Sequence, residues 1–221
     1  MINDPLSLAD WRRRVSDLYH DVRAAADPRA AWSQWRRTRD RLFREHPQSP
    51  IAADARAQFT GLGYFDYDPA ARHVVALEPM TPSALERVLL ESDGQLDLQP
   101  FARTRGLEPA YGGELTLFWI AGYGGGVFLP FCDGSSGAES YAGGRYLLDG
   151  IKGADLGMAG ERVVLDFNFA YHPSCVYAPA WECPLAPAEN RLPRAVRAGE
   201  RLVHMTDAFA PPFGAGDRAT A

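Results

Sequence analysis

A chain of 221 residues, 46% hydrophobic and 23% charged, is long enough to bury one sizeable core. Its formal charge of -5 and pI near 5.5 argue against nucleic acid as the main partner. No apolar run approaches the ~18 residues of a membrane span, and the opening MINDPLSLADWRRR lacks the apolar core of a signal peptide. Three cysteines, Cys132, Cys175 and Cys183, suit free thiols in a reducing compartment, so a cytoplasmic protein is expected.

The first 46 residues read as a helical hairpin. Ser7 is a plausible N-cap for a helix carrying Trp11, Val15, Leu18 and Val22 on one stripe. Asp27-Pro28 restarts the chain as N-cap and first helical residue. Trp32, Trp35, Leu42 and Phe43 are the apolar residues of that second helix, and His46-Pro47 ends it. Residues 1–45 hold ten arginines against seven acids. Those arginines either face an anionic ligand or form a solvated helix surface.

Residues 47–221 read as a β-rich body. Strand patterns occur at Phe59–Phe65, His73–Leu77, Val88–Glu91, Leu96–Phe101, Leu115–Ala121, Val127–Phe131, Arg145–Leu148, Arg162–Phe169 and Val196–Met205. Ser92-Asp93-Gly94 is a hairpin signal, and the glycine-rich 122–126 run closes a second hairpin. That run does not match a phosphate-binding loop, because no lysine and no helix come after it. Strands at this spacing without βαβ alternation predict a mainly β, α+β fold: an antiparallel sandwich, roll or partly open barrel with the helical hairpin packed on it.

The loop from Pro130 to Asp149 concentrates Asp133, Ser135, Ser136, Tyr141 and Arg145 among glycines. Arg145 is suited to hold a carboxylate bidentately, either a ligand's or that of Asp133 or Asp166. The 162–171 stretch alternates as a strand, which puts Asp166 and Asn168 on one face, lining a cavity or meeting solvent. Tyr171 ends it. Pro173, Pro179, Pro184, Pro187 and Pro193 keep the next segment irregular. Long irregular segments inside compact domains are often functional. Buried ones also need polar side chains, such as Asn190, Glu189, Arg191 and Asp166, to satisfy their backbone.

Four stretches resemble an uncharacterised bacterial family, the domain of unknown function numbered 1684. They are HPQSP at 46–50, FTGLGYFDYDP at 59–69, FLPFCDGSSGAESYAGGRYL at 128–147 and LDFNFAYHPSCVYAPAWECPLAPAENRLPRAVRAGE at 165–200. The resemblance implies a small, mostly β protein and transfers no catalytic residue. Cys132 and His172 stand where members typically carry arginine and asparagine. A place in bacterial specialised metabolism is a further expectation from the resemblance.

The chemistry then has several carriers. His172, Cys175, Cys183 and Asp166 lack the spacing of a metal signature, so no metal or other cofactor is expected. Cys175 with His172 as base is one nucleophilic arrangement; inert buried cysteine is the plain alternative. Metal-independent acid–base chemistry, of hydrolase or hydro-lyase type, would draw on Asp166, Tyr171, His172 and Cys175 as catalytic residues. Asp133, Tyr141, Arg145, Asn168 and Asn190 would then hold the substrate. A non-catalytic small-molecule-binding domain would use the same polar groups without turnover. A small-molecule ligand is thus the expected partner, with a homodimer possible and neither nucleic acid nor membrane involved.

Overall fold

The computed structural model describes residues 4–81, 86–89, 95–178 and 181–203. Two helices come first: α1 (Pro5–Ala24) and α2 (Pro28–Glu45). The cap of α1 is Asp4, whose carboxylate accepts from Ser7 N at 3.0 Å, so Ser7 sits inside the first turn and not at the cap. With Pro5 as the first helical residue, an aspartate one position earlier captures the free N–H groups. α2 is capped as expected by Asp27, which takes the N–H groups of Arg29 and Ala30, and it gives way at His46.

The strands are β1 (Arg72–Pro79), β2 (Glu86–Leu89), β3 (Gln95–Arg105), β4 (Thr116–Ile120), β5 (Gly126–Phe131), β6 (Arg145–Asp149), β7 (Met158–Ala159) and β8 (Arg162–Asp166); a short α3 (Glu108–Tyr111) succeeds β3. They form one sheet in the order β6-β5-β4-β3-β1-β8-β7, with every named pair antiparallel, curled into a half-barrel. β1 bends across two partners. Its first half pairs with β8, Val74 opposite Val164, and its second half with β3, Leu77 opposite Thr104. β2 shares that edge of β3 at the other end, Glu86 opposite Leu98.

Both faces of the sheet are covered, so the strands read as apolar on both sides. Leu117, Leu129, Phe131, Leu147, Val163 and Leu165 point into one core, completed by Phe167, Leu192 and Val196. Their alternate neighbours Phe118, Phe128, Tyr146 and Val164 point into the other, where the helices contribute Leu18, Tyr19, Trp32 and Trp35. Trp35 is fully buried, edge-on to Phe169 at 5.3 Å and to Tyr64 at 5.7 Å. Edge-to-face aromatic contacts of this kind add about 0.5–1.5 kcal/mol per pair beyond area burial. The helical pair therefore closes one core of the β-rich body.

Three expected strands are corrected. The 162–169 strand stops at Asp166, whose side chain caps a 3-10 turn over Phe167–Phe169. An aspartate that can accept its own turn's N–H competes with the ladder, and here it wins. Residues 59–65 make a single bridge, Tyr64 to Glu200, and the 196–203 stretch is irregular apart from that bridge. The Ser92-Asp93-Gly94 turn, Glu91, Pro179, His204 and Met205 lie outside the described residues.

Candidate functional site

Most of the polar residues singled out in the sequence are buried and bonded to the protein itself. Asp166 accepts from Asn168 N and Nδ2 at 3.0 and 2.8 Å, with Arg72 at 3.5 Å. Burial raises its pKa, and those bonds pull the other way. Asn168 also clasps the backbone of Asp68, Oδ1 accepting its N–H and Nδ2 donating to its carbonyl. Both residues are fully buried, so the pair faces neither solvent nor an open cavity. Asn190 substitutes for a strand neighbour: its Oδ1 accepts from Thr116 N, and its Nδ2 donates to the carbonyls of Thr116 and Pro130. The irregular backbone thereby finds the side-chain partners that burial demands.

Arg145 and Asp133 form a buried ion pair at 2.9 Å, each side chain without exposure. The guanidinium also donates to the carbonyls of Val196, Ala198 and Glu200. Asp133 accepts from Ser135 N and Val196 N. Although burial opposes it, Arg145 and these N–H groups hold the Asp133 carboxyl below its ordinary pKa. This unit staples the irregular C-terminal segment onto β6.

Tyr171 donates to Asp149 at 3.2 Å. His172 Nε2 accepts from the Tyr141 backbone N–H at 3.3 Å, which places its proton on Nδ1, facing Glu200 Oε2 at 3.6 Å. Burial, with the charges of Arg145 and Arg39, pushes His172 well below the usual imidazole pKa. A neutral, occupied imidazole is a poor base for Cys175. That cysteine meets Cys183 instead: the Cys175 backbone N–H donates to Cys183 Sγ at 3.4 Å.

One constellation has no counterpart in the residues expected from the sequence. Arg39, from the arginine-rich α2, reaches inward and donates through Nη2 to Glu200 Oε1. Its guanidinium lies 4.7 Å from the ring of Trp35 and 4.9 Å from that of Tyr171. Glu200 is fully buried, and its Oε2 accepts from His172 N at 2.7 Å and Tyr177 Oη at 2.8 Å. Around this pair stand four buried polar atoms without a hydrogen-bond partner among the described residues: Tyr19 Oη, Tyr64 Oη, Trp35 Nε1 and Arg39 Nε. Trp35 is turned toward the Tyr19 oxygen and Arg39 toward that of Tyr64, but neither pair meets full hydrogen-bond geometry. Burial keeps both phenols protonated. All four atoms thus carry an N–H or O–H that no described acceptor meets in full hydrogen-bond geometry, and Glu200 already takes three bonds. A separate shallow crevice of about 190 Å³ lies where Ser7 and Asp10 of α1 approach Leu42, Glu45 and His46; it shares no residue with this junction.

Comparison with known proteins bears on the whole arrangement. The profile of the family described as "Protein of unknown function (DUF1684)" matches residues 57–201. This chain belongs to the DUF1684 family. It is similar to the uncharacterized protein from gene locus rrnAC0354 of Haloarcula marismortui, known from a solution NMR structure, at 36% identity over 78% of this chain and 93% of that one, with a TM-score of 0.53. No curated protein matches. The DUF1684 match takes in Glu200, Tyr177, His172 and Tyr64, whereas Arg39, Trp35 and Tyr19 lie before it. The junction therefore joins the family's matched region to helices outside it. Arg39 is not distinguishable by sequence from nine neighbouring arginines; a cue, if any, is its place four residues from both Trp35 and Phe43 on an apolar stripe.

Proposed function

We propose that this protein binds a small carboxylate-bearing molecule at the Arg39–Glu200 junction. The observation that carries the reading is the surplus of donors: the Nε of Arg39 and three buried N–H and O–H groups around it, none with a hydrogen bond of full geometry among the described residues. Buried polar groups normally find partners, and each one left unmade costs about 1–3 kcal/mol. A carboxylate supplies up to four acceptor sites and complements the guanidinium. Such a ligand would sit beside Arg39, between α2 and the two bridged segments that carry Tyr64 and Glu200. A cytoplasmic setting, in which the three thiols stay reduced, belongs to the same reading.

The test is thermal unfolding of the whole protein with a panel of small mono- and dicarboxylates and their amide counterparts. Saturation at 100 times Kd would add about 2.7 kcal/mol of stability. Carboxylates are expected to raise Tm where amides do not, and Arg39→Met is expected to abolish the increment. If no carboxylate stabilises the protein, or if Arg39→Met responds as the parent does, the reading fails.

A second reading adds turnover at the same place. Tyr177 donates its hydroxyl to the fully buried Glu200 at 2.8 Å, which sets a phenol and a carboxylate side by side next to Arg39. Metal-independent acid–base chemistry of hydrolase or hydro-lyase type would use that pair. Tyr177→Phe should then leave ligand-induced stabilisation in place and remove product formation seen by mass spectrometry. Product formation unchanged in that variant would exclude Tyr177 from the chemistry.

A further inference from the structure

The proline-interrupted segment brings two distant thiols together. Cys175 lies on the 3-10 turn Ser174–Val176, which is flanked by two bonds to Glu200, from His172 N and from Tyr177 Oη. Cys183 precedes Pro184, whose carbonyl accepts from Tyr146 Oη at 2.6 Å. Both ends of the intervening loop are therefore held to the body. The Cys175 N–H points at Cys183 Sγ at 3.4 Å, and the two thiols are near enough to shift each other's pKa in opposite directions. Both are free and part-buried, reachable by a small oxidant; Cys132 is buried, its thiol directed at the Ala142 carbonyl.

We propose that Cys175 and Cys183 are a redox pair that a peroxide converts to an intramolecular disulfide. Cys183 is the attacking sulfur. The Cys175 backbone N–H donates to it, and with the neighbouring Cys175 thiol and the Lys152 charge it pulls the Cys183 pKa below the ordinary thiol value despite burial. The Cys175 thiol is pushed the other way by Cys183 and by burial. The Tyr141 side chain lies beside Cys175 and acts on its pKa in the opposite sense.

The oxidation takes two displacements at sulfur. The Cys183 thiolate forms an S–O bond to one peroxide oxygen as the O–O bond breaks, and the departing hydroxide takes a proton to become water. Cys183 is then a sulfenic acid. The Cys175 thiol gives up its proton and attacks the Cys183 sulfur; the S–S bond forms, the S–O bond breaks, and the second hydroxide leaves with that proton as water. The two sulfurs are oxidised, the two peroxide oxygens are reduced, and an external dithiol reverses the change.

The inference is independent of any ligand at the Arg39–Glu200 junction, and its test needs no variant to begin. The freshly reduced full chain is treated with one equivalent of hydrogen peroxide, alkylated with iodoacetamide and digested with trypsin. Cys175 and Cys183 fall in one tryptic peptide, 163–191, and Cys132 in another, 106–145. Expected is a 163–191 peptide without alkylation, lighter than its reduced form by two hydrogens, beside an alkylated Cys132 peptide; prior dithiothreitol should restore double alkylation. A doubly alkylated 163–191 peptide after peroxide would overturn the proposal. So would disulfide-linked dimers, or Cys183 recovered only as sulfinic or sulfonic acid. In Cys175→Ser the sulfenic acid has no resolving partner, so dimedone should label Cys183; equal labelling of Cys175 in Cys183→Ser would overturn the assignment of the attacking sulfur.

Discussion

Two arginines cross the interior of this protein, each to a buried carboxylate, and they end differently. Arg145 spends both terminal nitrogens on Asp133 and three backbone carbonyls, and Asp133 in turn accepts two backbone N–H groups. Only its Nε is without a partner among the described residues. Arg39 reaches Glu200 through one nitrogen, and beside it three further donors have no acceptor there. A buried ion pair is stabilising only when the surrounding bonds are completed. The Arg145 pair meets that condition at every polar atom but its Nε and behaves as architecture. The Arg39 pair does not, and the unmet donors are what make it a candidate for binding.

The largest expected effect falls on the completed pair. Arg145→Met leaves Asp133 charged and buried with its main partner gone, which should cost about 3–5 kcal/mol. Urea unfolding followed by circular dichroism measures it, and a loss under ~1 kcal/mol would remove the staple from the account of the fold. Arg39→Met is expected to cost less, about 1–3 kcal/mol, because Glu200 keeps its bonds from His172 N and Tyr177 Oη.

The two phenols at the junction sharpen the contrast further. Tyr177→Phe removes a bond to a buried carboxylate and should cost about 1.5–3 kcal/mol. Tyr64→Phe removes a hydroxyl that has no partner among the described residues and should cost less than ~0.5 kcal/mol, or stabilise. Equal losses in the two variants would mean that Tyr64 is satisfied in solution, and the donor surplus would shrink accordingly.

The last contrast is a pH dependence. The folded-state pKa of His172 is depressed by burial and by Arg145 and Arg39, so the folded protein favours the neutral ring. Its contribution is present above the unfolded value of about 6.5 and is lost as pH falls below that toward the folded pKa. His172→Asn should flatten stability over this window. Were the slope unchanged, the acid sensitivity would belong to other groups, such as Asp133, which lies lower because its pKa is depressed from the carboxylate range.

Backbone and site differ sharply in how much of each is legible in the sequence. The helices, the hairpin around the 122–126 glycines and the curled antiparallel sheet arise from local patterns: caps at Asp27, apolar stripes, and short alternating strands. The expected strand through Phe169 fails because both faces of the sheet are buried, so alternation no longer marks where a strand ends; Asp166 ends it by capping its own turn. That the 130–146 and 166–200 stretches need polar side chains to satisfy buried backbone is legible too. Which partners those side chains choose is not, because Arg145 has Asp133 and Asp166 both available in sequence.

By itself, then, the sequence determined the helical front end, the β-rich class, the family and the presence of two thiols on one proline-broken segment. Period and capping are properties of neighbouring residues, and a chain displays them openly. Only the tertiary structure decided that Arg39 turns inward to Glu200 across 161 positions and Arg36 packs over Trp32 and Tyr64, while the other helix arginines stay exposed. It also decided that Cys175 faces Cys183 and not His172, and that Asn168 and Asn190 act as backbone partners. Those outcomes depend on which groups burial leaves without water, and that is set by packing between segments remote in the chain.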